Sequence, residues 1–444
     1  MLSRLLHLEG NELKRLLPFF GLYFLVFCLL SMADGLSLAL FVKRVGAASL
    51  PRYYALTAVL NLAVIAVYVS RAERLGSAKT FQLILAMTGA AFLGAYLSIE
   101  GISGGAGRAY GLLFAAREVA YTLLVMHFGT FLQDYFTRVE LNRVLMVVYS
   151  GGRVGGIAGG ALLELLATQV GLSSALLACI GISLLTMVGV ALVARVASVV
   201  GSDADERSDE GLVRGDETEA LERDALTSMR GFIAFAYRSP LVRWTSISSL
   251  VFMVARWVLN FQYNSYFERH FASDVELAAF MGRYTVIALS LSLGLQLFVM
   301  SRLVRAIGLK ASNLVYAVLV SLALGANALH MGFGQAVASR ALETELRFGM
   351  RNPVNQLIVN KLSRSLRVRV RAFSLGVLVP VGTLLGSGLL ALLAGAGGAL
   401  VGVLGVIAGA GYLGSCVGVN GSFLDSRGRA RWATREEEPC RSES

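Results

Sequence analysis

Apolar runs of about 20 residues, the length an α-helix needs to cross a membrane, recur along the whole chain and constrain its fold more than any other feature. In lipid, only helices and closed barrels satisfy every backbone hydrogen bond. The chain has 56% hydrophobic and 16% charged residues, whereas soluble domains carry roughly 25% charged residues. We therefore predict an all-α polytopic membrane protein.

The apolar runs predict twelve transmembrane helices. Lys and Arg concentrate in the predicted loops 2–3, 4–5, 8–9 and 10–11, which by the positive-inside rule face the cytoplasm. We therefore expect a multi-pass protein of the bacterial inner membrane with both termini cytoplasmic. The predicted spans are 18–42, 53–70, 79–99, 109–133, 144–168, 173–195, 241–267, 278–300, 311–330, 334–360, 371–395 and 397–419.

Five regions follow from these spans and from the polar stretches between them. Residues 199–229 contain ten acidic residues and three arginines and few apolar ones, which is typical of a flexible linker. A regulatory or partner-docking role is the alternative. The predicted regions are a cytoplasmic amphipathic N-terminus (1–17), a six-helix bundle (18–198), an acidic cytoplasmic linker (199–238), a second six-helix bundle (239–420) and a cytoplasmic tail (421–444).

The two halves share short matches in the same chain order. Lys43-Arg44 matches Glu268-Arg269, Arg117 matches Arg340, and Gly155-x-x-x-Gly159 matches Gly382-x-x-x-Gly386, each at an offset of about 225 residues. These matches predict two six-helix repeats. Parallel repeats of this kind are a transporter architecture with the substrate site near mid-membrane between the halves.

A charged stripe in the tenth predicted span is the most informative polar feature. Arg340, Glu343, Arg347 and Arg351 are spaced three, four and four residues apart, so they share one face of an α-helix. Charged groups at bilayer depth are costly and usually functional. The stripe is either a cytoplasmic loop or a span, and the repeat and the positive-inside count both favour a span.

The loop between the second and third spans resembles the signature of the major facilitator superfamily, Gly-x-x-x-Asp-Arg-x-Gly followed by basic residues. The matching residues here are Glu73, Arg74 and Gly76, followed by Lys79, while Val69 replaces the first glycine. The resemblance implies that Glu73 and Arg74 support the conformational switch of a transporter. It also implies that spans 1, 4, 7 and 10 line a central cavity.

Two further stretches resemble branches of that superfamily. Residues 131–143 (FLQDYFTRVELNR) with 151–160 (GGRVGGIAGG) are similar to the ATP/ADP nucleotide transporters and their bacterial relatives. This resemblance implies nucleotide exchange. The glycine block also resembles the span 5 motif of drug–proton antiporters, but it lacks their proline.

Polar residues on the four expected cavity helices define the candidate site. Arginine forks suit phosphate and carboxylate groups, which points to an anionic organic solute such as a nucleotide. The alternative is that the Arg–Glu pairs, such as Arg340 with Glu343, close only on each other as gates. A proton-coupling role for Asp34 or Glu118 also stays open. The expected substrate-binding residues are Arg117, Arg256, Asn260, Tyr263, Arg340 and Arg347, and the expected coupling or gating residues are Asp34, Glu118, Glu343, Arg351, Glu73 and Arg74.

Paired glycines in the fifth span are expected to let helix backbones approach closely, either for static packing or as a smooth sliding face. They are Gly151, Gly155, Gly156, Gly159 and Gly160, with Gly152 completing the first pair. The sequence shows no nucleophile–base pattern, metal-ligand cluster or cofactor fingerprint, so an enzyme is not expected.

The favoured function is thus a secondary active transporter that uses alternating access, needs no cofactor or metal and binds no nucleic acid. We expect it to act as a monomer whose partners are membrane lipid and a small anionic solute. A proton-coupled drug or metabolite exporter, a lipid flippase and a non-transporting membrane scaffold or sensor are the alternatives.

Overall fold

The computed structural model describes residues 10–100, 106–136, 138–196, 235–295, 301–360, 362, 364–395 and 397–433, and these residues form helices without a β-strand. The N-terminal helices are α1 (Gly10–Arg44), α2 (Leu50–Leu75), α3 (Ser77–Ile99), α4 (Ala106–Gln133), α5 (Arg138–Gln169) and α6 (Leu172–Val196). The later helices are α7 (Pro240–His270), α8 (Asp274–Gly294), α9 (Ser301–Leu329), α10 (Phe333–Ala341), α11 (Asn352–Val359), α12 (Arg364–Phe373), α13 (Val379–Ala394) and α14 (Gly398–Ala433).

Within the described residues, nine helical stretches are long and apolar enough to cross a membrane. The predicted spans 144–168, 241–267 and 334–360 are helical but are not among the nine. Each carries an arginine within its length, namely Arg153, Arg256 or Arg340. The protein is therefore a multi-pass membrane protein, while the count of twelve crossings stays a prediction. The nine stretches are Arg15–Arg44, Ala47–Tyr68, Ser77–Ile99, Gly107–Gln133, Leu172–Arg195, Asp274–Gly294, Arg305–Leu329, Arg369–Leu393 and Gly398–Ser422.

The charged stripe is not a regular α-helix, and the prediction was wrong on this point. The chain is α-helical up to Ala341, π-helical over Leu342–Arg351 and α-helical again from Asn352. A second π-helical segment, Ser374–Leu378, joins α12 to α13. Such wide turns are rare and are frequently found at functional sites. Residues spaced by four still fall close together on the wider helix, so the stripe keeps one polar face.

Two glycines with left-handed backbone dihedrals interrupt the helices at matching places in the predicted repeats. Gly76 (φ 76, ψ 152) separates α2 from α3, and Gly308 (φ 77, ψ 168) breaks α9 near its start. A side chain would be strained at this φ, so glycine is needed at both positions. Their similar dihedral angles agree with the predicted repeat but do not establish it.

The chain divides into two compact units that do not coincide with the two halves of the sequence. The first unit comprises Met1–Glu210 with Asn264–Gly294, and the second comprises Gly211–Tyr263 with Leu295–Ser444. In the first unit, α8 joins the N-terminal helices by packing against α5 and α1. The regional boundaries drawn from the sequence stay predictions, and residues 199–229 lie outside the described part of the chain.

Large apolar side chains cover much of the outer helix surfaces in both units. Met87 (60% exposed) and Leu184 (57%) are examples in the first unit, and Leu322 (64%) and Leu392 (77%) are examples in the second. Soluble monomers rarely expose contiguous apolar surface of this kind. These surfaces are suited to contact with lipid acyl chains.

Candidate functional site

Glu343 is the centre of a polar cluster inside the second unit. Its side chain is 2% exposed and forms an ion pair with the Arg256 guanidinium. The Tyr263 hydroxyl donates to Glu343 Oε2 at 3.0 Å, and Asn260 Nδ2 approaches the same oxygen at 3.4 Å. Arg256, Asn260 and Tyr263 are spaced four and three residues apart, so they share one face of α7, and this face meets Glu343.

The three stripe arginines lie against aromatic rings, and two of them also interact with Glu343. The Arg340 guanidinium carbon is 5.7 Å from the centre of the Tyr263 ring, and that of Arg351 is 3.6 Å from the centre of the Phe252 ring. Arg340 and Arg347 are near enough to Glu343 to interact with it electrostatically. We name Arg256, Arg340, Glu343, Arg347 and Arg351 the arginine cluster. Aromatic faces stabilise desolvated guanidinium groups, so the rings help to keep these charges inside the helix bundle.

Tyr316 and Tyr412 extend the arginine cluster, although sequence reasoning did not select them. Arg351 Nε donates to the Tyr412 hydroxyl at 3.2 Å, and the Tyr316 hydroxyl donates to the Leu342 carbonyl at 3.0 Å. The Tyr316 bond is made at the start of the π-helical segment, where carbonyl groups lose their regular partners. Neither tyrosine has a charged neighbour in its own helix, which explains why periodicity did not reveal them.

A second polar network in the same unit was also missed. Asn327 Nδ2 donates to Gln262 Oε1 at 3.0 Å and to Ser339 Oγ at 3.1 Å, and Gln335 Nε2 donates to Asn327 Oδ1 at 2.8 Å. Ser339 immediately precedes Arg340. The network therefore ties α9 and α7 to the helix that begins the charged stripe.

The polar cluster of the first unit has the opposite composition. Arg117 Nη1 lies 2.9 Å from Asp34 Oδ1 and 3.0 Å from Glu118 Oε1, and Arg117 Nε donates to Ser37 Oγ at 3.3 Å. The Arg117 side chain is 9% exposed, while those of Asp34 and Glu118 are 39% and 26% exposed. One buried cation is thus shared by two partly accessible carboxylates, which we name the carboxylate cluster.

The glycine block packs against two different helices, α1 and α8. A methyl group at Gly155 or Gly159 would overlap the backbone carbonyl of Phe24 or Cys28 in α1. Added at Gly156, it would lie 2.6 Å from Leu289 of α8, and at Gly160 it would lie 2.8 Å from the Gly282 carbonyl. The two glycines within each of these pairs therefore face different helices, because adjacent positions on a helix point about 100° apart.

Gly151 and Gly152 both face α1. A methyl group at Gly151 would lie 2.8 Å from the Phe20 carbonyl, and one at Gly152 would lie 2.5 Å from the Tyr23 ring. The whole block therefore removes side chains where α5 crosses α1 and α8. Static packing and sliding are both compatible with this geometry.

A clasp of charged residues joins the end of α1 to the turn between α7 and α8 in the first unit. Lys43 Nζ donates to the carbonyl groups of Glu268 and Phe271, both at 2.8 Å, and Arg44 pairs with Asp274 at 2.6 Å. The Ala47 amide donates to Glu268 Oε2 at 3.0 Å. Lys43 thus binds carbonyl groups at the C-terminal end of α7, where the helix dipole favours a cation.

The selected residues therefore form two separate groups, with Asp34, Arg117 and Glu118 in the first unit and the arginine cluster with Asn260 and Tyr263 in the second. The side chains of Glu73 and Arg74 lie outside the described part of the structure, so their predicted switching role stays a prediction. His127 Nε2 donates to the Ser77 carbonyl at 2.8 Å, and its Nδ1 is hydrogen-bonded to the Tyr68 hydroxyl, also at 2.8 Å, so both ring nitrogens are used in packing.

Solved membrane transporters share this arrangement of helices. The nucleoside transporter NupG matches with a TM-score of 0.63 at 14% identity over 92% of this chain and 99% of that one. An auto-inhibited peptide transporter of the POT family matches with a TM-score of 0.63 at 14% identity, over 93% and 97% of the two chains. This protein has a major-facilitator-type fold. The resemblance in the loop between the second and third spans therefore predicted the fold correctly.

A third solved structure with this major-facilitator-type fold is a bacterial homologue of the iron transporter ferroportin in an inward-facing state. It matches with a TM-score of 0.60 at 14% identity, over 92% of this chain and 98% of that one. A scan against models of protein families and a search of curated protein sequences each found no match. All three comparisons are thus with proteins described as transporters or a homologue of one.

Proposed function

We propose that this protein is a secondary transporter for an anionic organic solute and that the arginine cluster binds the anion. The observation that carries the proposal is the local excess of positive charge around one buried carboxylate. Arg256, Arg340 and Arg347 all interact with Glu343, and Arg351 lies one helical turn beyond. Charged side chains within a helical membrane protein are costly and mark substrate pathways by default.

A carboxylate or phosphate group is the ligand that this chemistry favours. Guanidinium groups present several donors in a plane and bind both oxygens of such a group. When no anion is bound, Glu343 neutralises part of the charge of the arginines. An arriving anion competes with Glu343 for their N–H donors. A neutral solute would leave the charge excess unchanged.

The rings around the arginines further support a solute with a planar part. Tyr263, Phe252, Tyr412 and Trp257 lie beside guanidinium groups of the cluster. A flat base or acid stacked on an aromatic ring gains stability beyond its burial. We therefore propose a nucleotide or another phosphorylated metabolite as the solute class.

The carboxylate cluster supports proton coupling as the second part of the proposal. Asp34 and Glu118 share Arg117, so the pair carries more negative than positive charge and is partly accessible to water. Protonation of either carboxyl group would leave the other paired with Arg117. This geometry favours a proton-driven transporter, and it is equally what a proton-coupled exporter would require.

Alternating access would require the clasp of the first unit to open. Lys43 and Glu268, which the repeat matches with each other, are in contact there. Contacts between positions that a repeat relates are expected near its symmetry axis, where a gate would close. We propose that the Lys43 and Arg44 contacts form such a gate.

A ligand screen followed by transport tests the anion site. Purified protein should show a raised thermal midpoint with a nucleotide or phosphorylated sugar and not with the matching neutral nucleoside or sugar, because a ligand stabilises the state that it binds. Arg347→Gln should reduce the affinity about 10–100-fold, since a hydrogen bond to a charged group contributes about 1.5–3 kcal/mol. Uptake into proteoliposomes should fall in parallel.

Arg52→Gln is the matched control, because Arg52 is exposed and lies far along the chain from the cluster. Equal stabilisation by the anionic and neutral members of each pair would contradict an anion site. Transport that persists in an Arg340→Gln/Arg347→Gln double variant would contradict the role of the cluster.

If Asp34→Asn removes the response to a pH gradient but leaves exchange of solute, proton coupling through Asp34 is supported.

A further inference from the structure

One end of the second unit gathers the start of α7, the end of α11 and the start of α12. Val242, Val359, Leu366 and Val370 form a buried apolar cluster there, with Phe235 and Phe373 among the side chains packed on it. A neighbouring cluster of Val354, Ile358 and Val419 adds Leu309 of α9 and residues near the start of α7. These apolar contacts fix the positions of the polar residues that lie between them in the sequence.

Those intervening residues are basic. We name Arg238, Arg243, Lys310, Arg367 and Arg371 the basic collar. Segments 235–244, 301–310 and 360–373, which supply the collar, contain no aspartate or glutamate in the sequence. The positive charge of this end is thus not balanced from within the segments that build it.

Local contacts orient several members of the collar. The Arg243 guanidinium lies 6.0 Å from the centre of the Tyr237 ring, and Arg371 Nη2 donates to Asn360 Oδ1 at 3.0 Å. Arg367 Nη2 approaches the Leu362 carbonyl at 3.4 Å. Each of these partners is neutral, so the contacts position the cations without cancelling their charge.

The collar lies where a membrane-crossing stretch begins. The apolar stretch Arg369–Leu393 starts within it. One helical turn beyond Arg371, Leu375 is 71% exposed, and Val377 is 37% exposed. Tyr237 is 73% exposed, and tyrosine is enriched at the membrane interface. Along this stretch of helix the cations come first and the exposed apolar side chains follow. A lipid has the same order, with its charged headgroup followed by its acyl chains.

We propose that the basic collar binds the phosphate of an anionic phospholipid headgroup, with the acyl chains against Leu375 and Val377. Basic side chains next to a membrane attract anionic lipids and are screened beyond about 8 Å at physiological salt. The acidic segment 199–229 of the same chain is the competing anion. A lipid is favoured because one molecule supplies both a phosphate for the collar and acyl chains for the exposed apolar face beside Arg371, whereas the acidic segment would supply only the anion.

Retention of lipid by the full-length purified protein tests this site. The probes are phosphatidylglycerol and phosphatidylcholine in mixed micelles, and the readout is bound lipid by native mass spectrometry. The wild-type protein should retain phosphatidylglycerol preferentially. In the collar variant Arg238→Gln/Arg243→Gln/Arg371→Gln, the preference for phosphatidylglycerol should fall at least about tenfold. Each basic group near an anionic surface contributes about fivefold to the affinity.

A control variant separates the collar from charge in general. Arg52→Gln/Arg108→Gln/Arg269→Gln removes the same number of exposed arginines elsewhere and should keep the preference. Equal loss in both variants, or equal retention of both lipids by the wild type, would overturn the proposal. Should the triple collar variant fail to fold, Arg371→Gln and the charge-preserving Arg371→Lys provide the same comparison.

Two further arms distinguish other sources of the anion. Inorganic phosphate or glycerol phosphate should compete poorly, because neither has acyl chains for the apolar face. Efficient displacement by either would identify a soluble phosphate site and overturn the lipid assignment. Neutralising the ten acidic residues of 199–229 should leave lipid retention unchanged, whereas a marked rise would show that this segment occupies the collar.

Discussion

The two units hold charged groups inside the protein in opposite ways. In the first unit one arginine, Arg117, is buried between carboxylates that keep 39% and 26% of their surface exposed. In the second unit one carboxylate, Glu343, is 2% exposed among arginines. Water can compensate a change at the first site but not at the second. The difference predicts that the protein depends on the charge of Glu343 for stability, whereas it tolerates the neutralisation of Asp34 or Glu118.

Neutralising one carboxylate in each unit is the strongest test of this contrast. Glu343→Gln keeps the shape but leaves Arg256 and its neighbours without a balancing charge, so we expect a loss of about 3–5 kcal/mol in the free energy of unfolding. Asp34→Asn should cost less than about 1 kcal/mol, because the carboxylate is screened by water and Arg117 keeps Glu118. Denaturant titration of both variants in the same detergent measures the difference.

The double variant Glu343→Gln/Arg256→Gln is the control for this prediction. Removing both partners should recover part of the lost stability, since the penalty comes from an uncompensated buried cation. Similar losses for Glu343→Gln and Asp34→Asn would show that burial does not distinguish the two sites.

Two glycines, one from each of the matching Gly-x-x-x-Gly motifs, give a smaller and separate contrast. At Gly155 a methyl group would overlap the Phe24 carbonyl, whereas at Gly386 its nearest neighbour would be Val254 Cα at 3.2 Å. Gly155→Ala should therefore cost about 1–3 kcal/mol through overpacking. Gly386→Ala should cost less than about 1 kcal/mol, because a displacement of a few tenths of an ångström relieves it. Thermal and chemical unfolding of the two variants compares them.

Gly181→Ala is the matched control on α6, because nothing lies within 4 Å of an added methyl group there. It should be neutral or stabilise the helix by up to about 1 kcal/mol. Equal losses at Gly155 and Gly386 would mean that the two units pack their helices equally tightly, against the geometry described above.

The positions of the helices and the polar faces on them could be predicted from the sequence. The contacts between helices could not, because they depend on tertiary packing. Apolar runs located the helices, and the spacing of Arg256, Asn260 and Tyr263 is that of one helical face, which meets Glu343 in the structure. Spacing relates residues within a helix, so it suggested Arg340 as the partner of Glu343. The ion pair with Arg256, which comes from another helix, depends on tertiary packing.

Other misses have the same origin. The π-helical segment Leu342–Arg351 has no distinct periodicity in the sequence, because residues four apart share a face in both helix types. The two faces of the glycine block became visible only once α1 and α8 were placed beside α5. Asn327 and Tyr316 were missed because no Asp, Glu, Lys or Arg lies three or four positions from either residue in α9. Grouping of Asn264–Gly294 with the first unit likewise reflects packing rather than chain order.

The smallest effect comes from an arginine–glutamate pair with the same chemistry in a different environment. Arg283 Nη2 lies 2.7 Å from Glu164 Oε1, but the two side chains are 66% and 28% exposed. Water and salt screen such a pair, so a double-mutant cycle of Arg283→Gln and Glu164→Gln should give a coupling below about 1 kcal/mol. Raising the salt concentration to about 1 M, where the screening length is about 3 Å, should remove it. The corresponding cycle of Arg256 and Glu343 should keep its coupling in high salt, because salt screens a buried pair much less than an exposed one. If both couplings respond to salt alike, Glu343 is reached by solvent, and the distinction between a buried carboxylate in one unit and water-accessible carboxylates in the other would be wrong.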